Sequence, residues 1–176
     1  CAMALTQVLI LAVTRMLSGF CIAGLTTEHH PVSHLRWVRP VKEHGTLLLG
    51  DLTDASGRVI RCNDVVELDL QTPRPQPPHV EDWLTDLIYH RPQVLRRLEG
   101  ERRARFLANH LDLAPLDVLE HGTRSLCLVR PDRVTATFRR DPYSLKEQFL
   151  LGLTLDGVPL RRLDVGQGLP VTDLKW

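Results

Sequence analysis

Val65-Val66-Glu67-Leu68-Asp69-Leu70 alternates apolar and acidic side chains over its last five positions. Successive strand residues point to opposite faces, so this period of two predicts Val66, Leu68 and Leu70 inside and Glu67 and Asp69 wet. Upstream lie further short apolar runs: Val8–Val13, Phe20–Gly24, Leu35–Val41, Leu47–Leu49 and Val59–Ile60. They are punctuated by Ser18-Gly19, by the polar Thr26–Pro31 stretch and by Asp54-Ala55-Ser56-Gly57, all turn or loop chemistry. Five or six short strands in about 65 residues predict a small barrel or sandwich.

Downstream the pattern breaks. Four prolines in Thr72-Pro73-Arg74-Pro75-Gln76-Pro77-Pro78 cannot sit in a central strand and predict an extended connector. Trp83/Leu84 and Leu87/Ile88 then fall at helical spacing, behind the acids Glu81 and Asp82. Pro92 suits the first turn of a second helix carrying Val94, Leu95 and Leu98, and Phe106, Leu107 and Leu111 continue the stripe. Strand signals return at Leu126–Val129, Val134–Phe138 and Gln148–Leu155. Asp156-Gly157 then predicts a tight hairpin into Val158–Leu163. Val38-Arg39-Pro40 is echoed by Val129-Arg130-Pro131, each expected at a strand end, which suggests two related small barrels.

The composition is that of an ordinary globular protein. With 176 residues, 43% hydrophobic and 24% charged, it is neither a disordered chain nor a collagen, and 4 cysteines are too few for a disulfide scaffold. The net charge of +1 is unevenly spread. Residues 1–88 hold 7 of the 22 basic and 10 of the 21 acidic residues, leaving 15 and 11 for the second half, which is therefore positive. Only Lys42, Lys146 and Lys175 are lysines. The other basic residues are arginines, whose planar fork pairs with phosphate and stacks on bases, though a GC-rich genome also favours arginine. Cys1-Ala2 reads as a remnant before a native start at Met3. The six-residue run Val8–Val13 is far short of the about 20 residues of a membrane span, and no signal-peptide pattern surrounds it. The isolated Cys21, Cys62 and Cys127 read as buried thiols, predicting a cytoplasmic protein.

Several short motifs occur in a familiar order. Cys21-Ile22-Ala23-Gly24, Trp37-Val38-Arg39-Pro40-Val41, Asn63-Asp64-Val65-Val66, Pro73-Arg74-Pro75 and Glu81-Asp82-Trp83-Leu84 come first. Ser125–Pro131 and the closing Leu169-Pro170-Val171-Thr172-Asp173 follow. Together they make the chain resemble the bacterial dual OB-containing domain family. It departs from the family pattern at Arg15-Met16-Leu17-Ser18, where basic or aromatic residues are usual, and at Leu174, where proline is common. The resemblance implies a mainly β (α+β) fold of two small OB-like β-barrels with a helical insert between them. The expected units are residues 3–80, the insert at 81–112 and residues 113–176, packed as one body. It also implies a bacterial defence or conflict setting and recognition of nucleic acid or a nucleotide.

OB barrels hold single strands with basic grooves and aromatic platforms. The candidate nucleic-acid-binding residues are Arg36, Trp37, Arg39, Arg130, Arg133, Arg139 and Arg140. Trp37 and Trp83 also suit core packing. Arg39 and Arg130 could equally be spent on an acid such as Asp64 or Asp132. Arg161-Arg162, Arg96-Arg97 and Arg102-Arg103-Arg105 fit a solvated face as well. His29, His30 and His34, with His44 not far, form a polar loop without a metal-binding spacing. Glu81, Asp82 and Asp86 near His79 suit a helix's first turn better than a cation. No nucleophile–base pair, phosphate loop or dinucleotide fingerprint appears, so neither catalysis nor a cofactor or metal is expected. The leading expectation is a non-catalytic module for single-stranded RNA or DNA. A protein-interaction adaptor in a defence complex and a small-nucleotide sensor or hydrolase are the alternatives.

Overall fold

The computed structural model describes residues 5–16, 18–27, 37–140, 145, 147–160 and 169–171. The alternating segment read first is part of β4 (Asp64–Pro73), the hub of the first sheet. One edge of β4 pairs with β1 (Leu5–Met16), and the other with β5 (Asp82–Thr85) and β6 (Gln93–Arg97). β1 also pairs with β2 (Gly19–Thr26), β2 with β3 (Trp37–Val41), and β3 runs parallel to β5. The ring β1-β2-β3-β5-β4-β1 is thereby closed into a five-stranded barrel of OB type, with β6 outside it.

Two local features let these strands close. The β1–β2 register shifts between Ile10 and Ala12, and such a bulge bends a strand so that it can serve two neighbours. Gly24 brings β2 against β1 so tightly that a Cβ there would stand 2.1 Å from the Leu9 carbonyl oxygen. The interior is filled by Val8, Ile10, Ile22, Val38, Val66, Leu68 and Trp83, with Leu52 and Ile60 closing it. Burying each aliphatic side chain is worth about 1.5–3 kcal/mol. Val66, Leu68 and Leu70 lie in this core as the alternation requires. Asp69, expected to be wet, is buried and faces His90 at 3.3 Å.

The segment from Glu81 to Leu98 departs from its helical reading. Asp82–Thr85 and Gln93–Arg97 are strands, and Pro92 precedes a strand instead of opening a helix. An apolar pattern this short satisfies either period, and the open edge of β4 decides it by offering a ladder that a helix could not use. The helices come later, as α1 (Gly100–Asn109) and α2 (Pro115–His121). Pro115 sits in the first turn of α2, and Gly122, in the left-handed region at φ 57°, ends it. Leu47–Leu49 and Val59–Ile60 contribute only isolated bridges beside a 3₁₀ turn at Leu49–Leu52.

The second sheet has β8 (Glu147–Leu155) at its centre. β7 (Arg133–Arg140) pairs with one edge of β8, and β9 (Val158–Leu160) and β10 (Leu169–Pro170) with it as well. The Asp156-Gly157 turn has φ of 49° and 76°, as its sequence predicts. Leu126–Val129, expected as a strand, joins no ladder among the described residues. Its Leu128 N–H donates instead to the Asp112 carboxylate at 2.6 Å. The Val-Arg-Pro echo therefore has a strand at Arg39 and none at Arg130. The fold is mainly β with few helices, and among the described residues no helix is long and apolar enough to cross a membrane.

Candidate nucleic-acid interface

The parallel register of β3 and β5 sets Arg39 opposite Asp82. The two side chains form a bidentate pair, Nε to Oδ1 at 2.5 Å and Nη2 to Oδ2 at 2.8 Å. They are 19% and 13% exposed. The hydrogen bond to Asp82 pushes the Arg39 pKa above its ordinary value, against the opposing effect of burial. Arg39 is thus committed to the barrel, by a partner other than Asp64 or Asp132. Asp64 holds Arg97 at 3.1 Å, and Asp132 accepts the Gly157 N–H at 3.1 Å. Trp37 and Trp83 are 8% and 7% exposed and belong to the buried interior.

The neighbouring Glu81 is 1% exposed and accepts hydrogen bonds from the Ser125 hydroxyl and, at 3.4 Å, from its backbone N–H. Three motifs that are distant in sequence (37–41, 81–84 and 125–131) therefore meet in space. Arg124 pairs with Asp112 beside them. Burial pushes the Cys21 thiol up, an effect reduced by Arg39. Burial and the Asp112 carboxylate push Cys127 up to about 11. Thiols so shifted stay protonated near neutrality and are weak nucleophiles. What these motifs build is a polar seam inside the molecule.

The second-half arginines stand differently. β7 is exposed along nearly its whole length, with Phe138 62% and Val134 55% exposed. Strand alternation puts Val134, Ala136, Phe138 and Arg140 on one face and Arg133, Thr135, Thr137 and Arg139 on the other. Arg139 donates through Nε and Nη2 to the Gln148 Oε1, both at 3.2 Å, and Arg140 through Nε to the Leu145 carbonyl at 2.9 Å. These contacts orient the guanidinium groups without neutralising them. Among the described residues, no carboxylate lies within ion-pair distance of Arg130, Arg133, Arg139 or Arg140. Arg130 and Arg133 are exposed. The result is one solvent-facing strand with Phe138 and Arg140 on one face and Arg133 and Arg139 on the other.

Arg36, the histidines His29, His30 and His34, and Arg161-Arg162 lie outside the described residues. Among those described, no group of three or more His, Cys, Asp or Glu side chains could hold a metal. The acids once set beside His79 have other duties. Glu81 holds Ser125, Asp82 holds Arg39, and Asp86 accepts the Ile88 and Tyr89 N–H groups at 3.0 Å. The Asp82 partnership is not legible in the sequence because a helix there would separate it from Arg39, and that of Glu81 because Ser125 lies 44 residues away. The parallel β3–β5 pairing is the signal that finds the first.

The family model described as dual OB-containing domain matches residues 6–167, nearly the whole chain. No curated protein and no solved structure matches.

Proposed function

The chain belongs to the dual OB-containing domain family, and from that premise we propose that it is a non-catalytic module binding single-stranded RNA or DNA in a bacterial defence setting. The observation that supports this most is β7. Phe138 offers a base-stacking platform on a strand whose arginines keep their charge, and such stacking is worth about 1–3 kcal/mol per base. Arg140 supplies a phosphate contact on the face of Phe138, and Arg133 and Arg139 supply them from the other face of the strand, with Arg130 close by in sequence. These contacts fix a strand without reading its sequence. The modest number of free cations fits weak, salt-sensitive binding rather than tight condensation.

The exposed, unpaired edge of β7 among the described residues also favours a second reading, an adaptor that takes an extended peptide as an added strand. A fluorescence polarisation titration with single-stranded oligonucleotides at two salt concentrations separates the two. The strand reading requires binding at low salt that falls steeply with added salt and weakens in R139Q/R140Q. Absence of binding at low salt removes it.

A further inference from the structure

β7 pairs with β8 along one edge, and no described strand meets its other edge. Every second residue of β7 therefore turns its N–H and C=O away from the sheet, and such an edge is a template for another strand. Its side chains are exposed except for Arg139, which is half-buried.

Charge singles out two positions on this strand. Across the β8 ladder Arg140 already faces an acid, Glu147, whereas Arg133 faces Thr154 and Arg139 faces Gln148. Neither Arg133 nor Arg139 forms an ion pair among the described residues. The two share one face, six residues and about 20 Å apart, with Thr135 and Thr137 between them. The opposite face carries Val134, Ala136 and Phe138, of which Val134 and Phe138 are 55% and 62% exposed.

A strand laid along this edge meets each of these features with one residue. Cross-strand pairing asks for an acid opposite Arg139 and another opposite Arg133. Between them it asks for apolar residues opposite Phe138, Ala136 and Val134, and polar ones opposite Thr137 and Thr135. The pattern is acid-Φ-x-Φ-x-Φ-acid, with Φ apolar, and it reads the same in both directions. A second copy of β7 does not supply it. Antiparallel self-pairing that sets Val134 against Phe138 also sets Arg133 against Arg139 in both halves, and like charges directly opposite repel. The register that sets Ala136 against Phe138 leaves Arg139 against Thr135.

We propose that the free edge of β7 takes up an extended acidic segment of a partner protein with this pattern, as an added strand. The proposal rests on the adaptor reading of β7 and supplies the chemistry of its partner. Fluorescence polarisation of the full chain with labelled peptides containing EVTVTVE, QVTVTVQ or VETVTEV tests it. EVTVTVE should bind, and QVTVTVQ about fivefold more weakly, the loss expected for two cross-strand charge pairs. VETVTEV has the composition of EVTVTVE with its acids on the apolar face, and should bind about tenfold more weakly. R133E/R139E should prefer KVTVTVK to EVTVTVE, a reversal that also shows the variant to be folded. Equal binding of EVTVTVE and QVTVTVQ overturns the acidic requirement while the adaptor reading stands. No binding of any peptide removes both, and oligonucleotide binding that R133E/R139E then weakens gives β7 to nucleic acid alone. Equal binding of VETVTEV means adhesion by charge without register and overturns the proposal. So does a concentration-dependent dimer that blocks EVTVTVE, which gives the edge to a second copy.

Discussion

The five-stranded barrel and the sheet around β8 treat charge in opposite ways. In and around the barrel, Arg39 meets Asp82, Arg97 of β6 meets Asp64, and Lys42 meets Asp51 at 2.9 Å. On β7, Arg133, Arg139 and Arg140 form no ion pair among the described residues, although Glu147 lies across the ladder from Arg140, and Phe138 stands in solvent. The same contrast holds for aromatic rings, since Trp37 and Trp83 are interior while Phe138 is not. Groups that satisfy one another stabilise a fold, whereas groups left unsatisfied at a surface are available to a ligand. The motifs that identify the family fall mostly in the first category.

That contrast is sharpest under substitution. Gly24→Ala should be the most damaging change, costing about 3 kcal/mol, because its Cβ would collide with backbone and not with a movable side chain. Chemical denaturation measures it, and a cost under 1 kcal/mol would mean that β1 and β2 can separate freely. Asp82→Ala should come next, at about 2–3 kcal/mol, somewhat below the cost of a fully buried orphan charge because Arg39 is partly exposed. If instead D82A leaves stability intact, the barrel charges are not structurally committed and the comparison fails.

Changes on β7 should reverse this profile. Phe138→Ala should lose about 1–3 kcal/mol of oligonucleotide binding while moving stability by less than about 0.5 kcal/mol, as expected for an exposed side chain. R139Q/R140Q should lower the slope of log affinity against log salt by about 1.4, the value for two phosphate contacts to a single strand. An unchanged slope would remove both arginines from the interface.

The smallest effect expected is on pH. The hydrogen bond from the Ser56 hydroxyl, aided by the Ser56 and Arg58 backbone N–H groups, holds the Asp54 carboxyl below its usual range. A depressed carboxyl contributes stability above its unfolded value, about 3.9, and loses it as pH falls through the folded value. Thermal melts should therefore decline slightly below pH 4, and D54N should remove that part of the decline. An identical decline in D54N would assign it to other carboxylates.

How far the sequence revealed this follows from which interactions are local. The alternation around Leu68 and the Asp156-Gly157 turn are written in adjacent residues, and both are present in the structure. The family order of motifs likewise led to the barrel topology. The strands within Glu81–Leu98 are not legible locally, because strand identity there depends on the free edge of β4, a partner lying elsewhere in the chain. Arg39 and Arg130 look alike as Val-Arg-Pro. Only the parallel β3–β5 register separates the paired one from the exposed one. The exposure of Phe138 was also illegible, since an alternating strand does not say which of its faces is covered.

Hydrogen–deuterium exchange with and without a saturating single-stranded oligonucleotide tests the division between the two regions most directly. Our account predicts added protection over Arg133–Arg140 and no change along Leu5–Thr26. Protection confined to the barrel strands, with β7 unaltered, would contradict it.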